Sequence, residues 1–184
     1  SHLNAALGII SRYLGKLKMN YDEKILSVKT KLGKAFDTED DLGMVIRSHI
    51  VLENLVEEYI SSKTVCEKSV SKLKLTFEQK IYLAVSLGFD PRFEKPLKAI
   101  ATIRNRFAHN LRGCLDKSDA NNFYKSFSEI DKTIMYESVL RHFRGDTNEE
   151  KPDKSKFSVY VMCLTIAITS FNLKNNRIAI EENA

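Results

Sequence analysis

The chain contains few of the residues that interrupt helices or cross-link a fold. Its 184 residues include only 3 Pro, 7 Gly and 3 Cys, and Trp is absent. The scarcity of Pro and Gly favours helices, because both residues destabilise a helix interior. Cys66, Cys114 and Cys163 are odd in number and form no C-x-x-C pair. Their spacing predicts reduced thiols that serve as small core residues, with no zinc site and no redox dithiol.

Long uninterrupted apolar runs are also scarce. Residues 1–20 carry Arg12, Lys16 and Lys18 among their apolar positions, so we expect no signal peptide. The longest apolar stretch, 157–171, is interrupted by Ser and Thr and is short for a membrane span. We therefore expect a cytoplasmic protein with no membrane partner, and at this length a single domain.

The charge balance is mildly basic. The formal net charge is +5 and the sequence pI is about 9.0. Such a chain can bind nucleic acid through the release of counterions from phosphates. The same balance is equally compatible with a basic protein that binds neither RNA nor DNA, so charge alone favours a nucleic-acid partner only slightly.

Hydrophobic periodicity gives the fold class. Apolar residues recur at spacings of three and four along nearly the whole chain, and no segment alternates convincingly with period two. This pattern predicts an all-α, single-domain bundle of about five to seven helices. We expect N-terminal helices over 1–36 packed on or extending the bundle, the bundle itself over 37–174, and a polar tail over 175–184 that frays.

Capping residues predict where the helices begin and end. Thr38 is expected to cap a helix over about 39–62, followed by a polar connector with only a weak amphipathic turn. Thr76 and Gln79 form a capping box, and Gly88 ends the helix that this box begins. Asp90 caps a short turn at Pro91, and a further helix is expected from Pro96 to Asn110.

The C-terminal part is expected to hold two longer helices. Ser118 and Asp119 are predicted to cap a helix that continues or bends to about residue 143. Its inward positions are predicted to be Phe123, Phe127, Ile130 and Ile134. Residues 145–155 contain Gly and Pro but no apolar side chain, which predicts an exposed loop. The final helix, over about 156–173, is apolar around much of its circumference and should be deeply buried or form a subunit interface.

One helix end combines side chains that suit phosphodiester chemistry. Residues 104–109 include Arg104, Asn105, Arg106 and His109. An imidazole can accept the proton of a ribose 2′-hydroxyl or protonate the leaving 5′-oxygen. A guanidinium can hold the phosphate and stabilise the charge that grows on it, and an amide can orient the imidazole. This chemistry requires no metal and no cofactor, and we expect neither. The apolar stripe beside these residues is predicted to comprise Leu97, Ile100, Phe107 and Ala108.

Helix geometry places the two main candidate residues, Arg104 and His109, on different faces of the helix. Five residues correspond to roughly 140° around an ideal helix. Arg104 and His109 therefore meet only if Arg104 reaches across, if the helix loosens, or if a second chain completes the site. On spacing alone, an Arg and a His near a helix end are more often caps and salt-bridge partners. Arg104 could simply pair with Glu53 or Glu57 on the preceding long helix.

Three segments together resemble the HEPN superfamily. The string RNRFAH at 104–109 fits its R-x4–6-H motif. A Glu-rich apolar stripe over 49–57 and the string LTFEQKIYLAVSLG over 75–88 precede it. Their order and spacing are similar to the mannitol-operon-repressor-like branch. The resemblance covers about 40–112, with no clear match over 1–36 or in the C-terminal third.

This resemblance implies a helical bundle that dimerises with the two motifs at the interface. Active members are metal-independent endoribonucleases in toxin–antitoxin, phage-defence or RNA-processing systems. By this resemblance Arg104 and His109 are catalytic, Asn105 assists, and Glu53 or Glu57 positions Arg104. The expected partners are single-stranded or tRNA-like RNA, a second copy of the chain, and an antitoxin or regulatory protein. Other relatives are non-catalytic transcriptional regulators or interaction modules, which is the alternative function.

The remaining polar candidates lie outside this motif. Arg106 is counted as supporting the site. Arg112, Arg141, His142 and Arg144 are predicted to contact RNA, the last three together with an aromatic residue that could stack on a base. A solvated helix end is the simpler account of that cluster. His49 lies on the apolar stripe of its helix and is predicted to be a hydrogen-bonded core or interface residue.

Overall fold

The computed structural model is helical throughout the residues that it describes. These are residues 22–30, 32, 33, 36, 40–109, 113–136 and 153–182, with side chains described as far as 175. The helices are α1 (Asp41–Lys63), α2 (Glu67–Ser71), α3 (Phe77–Ser86), α4 (Glu94–His109), α5 (Lys117–Ser126), α6 (Glu129–Met135) and α7 (Asp153–Glu182). Residues 22–30 are also helical, and the described residues contain no strand. The predicted all-α bundle is confirmed.

Helix α1 forms the centre of the bundle. It packs against α3, α4 and α7, while α5 packs against α4 and α7. Tyr59 near the end of α1 stacks with Phe89, which precedes α4, at a centroid distance of 5.1 Å. At the other end, the backbone N–H of Leu115 donates to Asp41 Oδ2 at 2.9 Å, just after α4 ends. Helices α1 and α4 therefore run in opposite directions, which brings the C-terminal end of α4 to the beginning of α1.

The helix starts around α3 and α4 follow their capping residues. Thr76 Oγ1 accepts from the backbone N–H of Gln79, whose side chain accepts in return from Thr76 N at 2.9 Å. Gly88 has a φ of 98°, which lets the chain leave α3 beside the Tyr59 hydroxyl. Asp90 caps a 3-10 turn at Pro91–Phe93, as predicted. The turn leads directly into α4 at Glu94 rather than Pro96, because proline is tolerated within a first helical turn.

Other boundaries differ from the prediction. Asp40 caps α1 by accepting from the backbone N–H of Gly43 at 2.8 Å, and Thr38 lies outside the described residues. Asp116, rather than Ser118 or Asp119, caps α5, and Asp119 completes its capping box from the third helical position. An aspartate one turn before another can form this reciprocal pair, whereas Ser118 already lies inside the helix.

The expected long helix after Phe123 is broken in two. The chain bends at Phe127, and Ser128 caps the new helix α6 by accepting from the backbone N–H of Asp131. Phe127 stays buried, whereas Ile130 and Ile134 are 65% and 54% exposed, contrary to their predicted inward positions. The bend changes which face of the following helix points to the core. The predicted continuation to residue 143 lies outside the described residues.

Helix α7 supplies a large part of the core and reaches Glu182, well beyond the predicted end near 173. Its segment Lys154–Asn175 is long and apolar enough to cross a membrane by length and composition, contrary to the expectation from 157–171 alone. Phe157, Val161 and Ile168 are nevertheless fully buried within the bundle. Asn172 Nδ2 also donates to the carbonyl of Leu55 in α1 at 2.9 Å. These contacts place much of the apolar surface of this segment in the core of the bundle.

Candidate functional site

The polar end of α4 is exposed because the opposite face of the helix is buried. Its buried side chains are Leu97, Ile100, Ile103 and Phe107, together with Pro96 in the first turn. Arg104, Asn105, Arg106 and His109 are all exposed. Ala108 is exposed as well, so the predicted apolar stripe is corrected at that position, where Ile103 belongs instead. Cationic side chains at a helix C-terminus interact favourably with the helix dipole, which suits this end of α4.

Arg104 does not pair with the carboxylates predicted for it. Lys80 of α3 reaches between Glu53 and Glu57, with Nζ–Oε1 distances of 2.6 Å to each. These two residues are one helical turn apart, so a single ammonium can bridge them. Burial disfavours the charged form of Lys80, but the hydrogen bonds to Glu53 and Glu57 outweigh this effect and raise the pKa of Lys80. Glu53 and Glu57 therefore bind Lys80, in place of the expected role of positioning Arg104.

Arg104 itself has a weaker partner. Its Nη1 donates to Asn105 Oδ1 at 3.2 Å, a contact with a neutral amide. Within the described part of the chain, no carboxylate forms an ion pair with Arg104. Most of the guanidinium donors have no partner among the described residues. Such a group can bind an anion, and a phosphate matches its planar donor geometry.

Arg106 belongs to a different contact. It forms an ion pair with Asp119 of α5, and its Nη2 also lies 3.4 Å from the carbonyl oxygen of Cys114. The guanidinium additionally lies over the ring of Phe107. Arg106 thus fastens the end of α4 to the beginning of α5. Its predicted supporting role at the site is replaced by this structural role, because α5 presents a carboxylate to it.

His49 joins the site, although its sequence position indicated only a core or interface residue. Its ring is 9% exposed and packs edge-on against Phe77, with 4.5 Å between the ring centroids. Nδ1 lies 3.6 Å from Glu53 Oε2 one turn along α1. Burial lowers the pKa of His49; Glu53 opposes this shift, and Arg104 and Lys80 reinforce it. The spacing of four between His49 and Glu53 was the sequence signal for this pair.

A groove brings these side chains together. It has a volume of about 540 Å³ and lies between α1, the beginning of α3 and the second half of α4. His49, Glu53, Arg104 and Asn105 all contribute to its wall. Glu53 and Glu78, another wall residue, form ion pairs with Lys80 and Lys98 at 2.6 and 3.2 Å respectively. Arg104 is the cation of the groove wall that has no ion pair among the described residues, so its guanidinium is the group there that can bind an anionic ligand.

His109 lies apart from this groove. It is exposed as the last residue of α4 and does not contribute to the groove wall. Asn105 and His109 are four residues apart on one helix face, whereas Arg104 points towards α1. The structure thus brings Arg104 together with Asn105 and His49, and it leaves His109 outside the groove. Arg112, Arg141, His142 and Arg144 lie outside the described residues.

The cysteines and potential metal ligands form no second site. Cys66 and Cys114 are exposed, contrary to their expected place in the core, while Cys163 is partly buried. Burial raises the pKa of the Cys163 thiol to about 11. Among the described residues, no group of three or more His, Cys, Asp or Glu side chains is arranged to hold a metal ion.

Comparison with known proteins adds no relative to this geometry. No family model matches the chain, and neither a curated protein nor a solved structure is significantly similar to it. The interpretation of the groove and the α4 end therefore depends on the residues, contacts and charges described above.

Proposed function

We propose that this protein is a metal-independent endoribonuclease of HEPN type that acts as a homodimer on single-stranded or tRNA-like RNA. One observation carries the proposal: Arg104 faces the groove without an ion pair among the described residues, while Glu53 of the same groove wall binds Lys80. If Arg104 served only to join α4 to α1, it would be expected to pair with Glu53 or Glu57. A phosphate of an RNA backbone is a natural partner for the arrangement found instead.

The proposed reaction is an internal transfer at phosphorus. The ribose 2′-oxygen loses its proton and forms a bond to phosphorus, while the bond from phosphorus to the 5′-oxygen breaks. The products are a 2′,3′-cyclic phosphate and a 5′-hydroxyl. Arg104 holds the non-bridging oxygens and stabilises their growing charge, and His109 exchanges a proton with the reacting oxygens. Asn105 holds Arg104 through the contact between them.

A second copy of the chain would bring an Arg104 and a His109 together, which one copy does not do. The two lie roughly 140° apart around α4. A two-fold axis beside the α4 ends would place His109 of one copy near Arg104 of the other. Ile46 and Ile50 support a contact in this area, because they are 37% and 49% exposed on α1, on either side of His49 in the sequence. Exposed apolar side chains one turn apart are typical of helix–helix interfaces.

The setting proposed for this activity is the cytoplasm, in a toxin–antitoxin or phage-defence system. A free ribonuclease would harm its own cell, so a neutralising partner is expected. The net charge of +5 is compatible with an RNA substrate. Expression of the protein alone is expected to arrest growth, and the Arg104→Ala variant is expected to relieve the arrest.

A non-catalytic regulatory module is the second candidate. Helix α6 favours it, because Ile130 and Ile134 are exposed one turn apart and offer an apolar surface. This surface lies on a different helix from the candidate site. A regulator of this kind would form a stable protein complex and would leave RNA intact at every pH tested.

The decisive experiment measures cleavage of a labelled single-stranded RNA by the purified protein, with and without EDTA. We expect chelation to leave the rate unchanged, and Arg104→Ala and His109→Ala each to abolish cleavage. Lys95→Ala is the matched control, since Lys95 is an exposed cation near the other end of α4. Circular dichroism and light scattering report folding and dimerisation for each variant. Cleavage that survives both substitutions would exclude the proposed site.

A further inference from the structure

We propose that His49 is a second catalytic histidine of this site, which accepts the proton of the RNA 2′-hydroxyl inside the groove while His109 protonates the leaving oxygen. This inference rests on the proposed ribonuclease function and assigns its two proton transfers to different residues. With this assignment, the proton acceptor His49 and the phosphate-binding Arg104 belong to the same copy of the chain. The second copy would supply only the proton donor, His109.

The position of His49 supports this role. The imidazole and the Arg104 guanidinium belong to the same groove wall, on helices α1 and α4 that face each other. The rings of Phe77 and His49 pack in a T-shaped arrangement, with 4.5 Å between their centroids, and this contact limits the rotation of the imidazole. A ring held by packing and directed at a cavity is already oriented for proton transfer. The groove volume of about 540 Å³ is sufficient for one nucleotide unit.

Glu53 completes the arrangement needed for a base. Its Oε2 lies 3.6 Å from His49 Nδ1, an electrostatic contact rather than a hydrogen bond, and we take Nε2 as the proton acceptor. When Nε2 takes a proton, the carboxylate stabilises the resulting imidazolium. Lys80, at 2.6 Å from Glu53 Oε1, holds the carboxylate in place. Glu53 is thus a positioning residue, although it acts on His49 rather than on Arg104.

The surrounding charges favour a neutral His49 before the reaction. Burial lowers the pKa of His49, and the Arg104 and Lys80 cations lower it further, while Glu53 alone raises it. Glu78 and Lys98, the other charged groups of the groove wall, pair with each other at 3.2 Å. At neutral pH the imidazole is therefore deprotonated and able to accept a proton. His109 is exposed at the end of α4 and is assigned the opposite role of proton donor.

The proton balance is complete within the two histidines. The 2′-hydroxyl proton moves to His49 Nε2 as the oxygen–phosphorus bond forms. The bond between phosphorus and the 5′-oxygen then breaks, and that oxygen takes a proton from His109. The protein is left with a protonated His49 and a neutral His109, and exchange with water restores both. No oxidant, metal or further reactant is required.

The test compares the pH dependence of RNA cleavage by the wild type and by His49→Gln. We expect the substitution to lower the rate at pH 7 by about 100-fold or more. We also expect it to remove the acidic limb of the pH profile, which a residue with a purely structural role would leave in place. Thermal unfolding checks that the variant folds, and Lys95→Ala, at an exposed position of α4 outside the groove, is the control.

A second measurement uses the wild-type protein and does not depend on a folded variant. The His49 imidazole signal is followed by NMR as uridine 3′-monophosphate is added, and we expect it to shift to saturation. Arg104→Gln should weaken this binding and raise the pKa of His49, since it removes a nearby cation. A His49 signal that stays unchanged at saturating nucleotide overturns the inference.

The outcomes separate this inference from the proposed function. If the wild type cleaves RNA and His49→Gln retains its rate within about threefold with the acidic limb intact, His49 is not the base and the ribonuclease proposal stands. If the wild type cleaves no RNA, the proposed function and the inference both fail. Loss of the rate and of the acidic limb together supports the assignment.

Discussion

Two arginines of α4, only two residues apart, have opposite surroundings. Arg106 is tied to Asp119 and to the carbonyl of Cys114, at the junction with α5. Arg104 faces the groove and contacts only the neutral side chain of Asn105 within the described residues. The residue type and the helix are the same, so the difference comes from the elements that lie opposite. A carboxylate faces Arg106, whereas Glu53, which shares the groove wall with Arg104, is already bound to Lys80.

The largest expected effect on RNA cleavage is that of replacing Arg104, the arginine that faces the groove. Arg104→Ala should lower the rate of RNA cleavage by about 100- to 1,000-fold, because it removes the cation that stabilises the transition-state charge. The free energy of unfolding should change by less than about 0.5 kcal/mol, since the side chain is exposed and its described contact is with a neutral amide. Single-turnover cleavage and urea denaturation measure the two quantities. A large loss of stability would show that Arg104 is structural like Arg106.

The Lys80→Met substitution tests whether Lys80 keeps a carboxylate from pairing with Arg104. In Lys80→Met, Glu53 and Glu57 lose their ammonium partner and become free to attract Arg104. We expect cleavage to fall by about 10-fold, because the released carboxylate of Glu53 pairs with Arg104 and offsets its charge. The pKa of His49 should rise, because the Lys80 cation that lowers it in the wild type is absent from the variant. NMR titration measures this shift, and Lys95→Met is the matched control for loss of a cation. An unchanged rate and pKa would mean that Lys80 does not control the groove.

Arg106→Ala should produce the converse result. Its partner Asp119 has a side chain only 12% exposed, so the substitution leaves a mostly buried carboxylate without its ion pair. Arg106 itself is 40% exposed, which limits the loss of unfolding free energy to about 1 kcal/mol. Cleavage should stay close to the wild-type rate under folding conditions. Urea denaturation with a parallel cleavage assay tests this, and a catalytic defect without loss of stability would contradict the assignment.

The smallest expected effect is the pH dependence of stability from His49. Its pKa is lowered in the folded state, so the unfolded chain binds more protons in the window below the ordinary value of 6.5. Its stabilising contribution is therefore complete above pH 6.5 and is lost as the pH falls towards the folded pKa. The free energy of unfolding should decrease more between pH 7 and 5.5 in the wild type than in His49→Gln. Equal slopes in the two proteins would contradict this.

Features that depend on neighbouring residues in the chain were predictable. The Thr76–Gln79 capping box, the cap at Asp90 and the end of α3 at Gly88 all appear where the sequence indicated them. Each depends on atoms within a few residues, so local chemistry determines it. The exposure of Arg104 and His109 was also predictable, because the apolar stripe of α4 must face the core.

Features that depend on a competition between distant residues were not predictable. Glu53 was predicted as a partner of Arg104, and the packing of α3 against α1 placed Lys80 beside it instead. The bend at Phe127 likewise depends on how that ring enters the core, and it reverses the expected burial of Ile130. Sequence spacing contains no information about which helix arrives opposite a given face.

The sequence by itself determined an all-helical chain with a cationic end on α4, because periodicity and capping act over one or two helical turns. Only the tertiary structure decided which cation stays available. Arg104 and Arg106 share a helix and a residue type and lie on opposite faces of it. They differ in the charge that folding places beside each face. Since electrostatic pairing falls off with distance and depends on burial, the three-dimensional arrangement of Lys80, Asp119 and His49 gives these two arginines their separate roles.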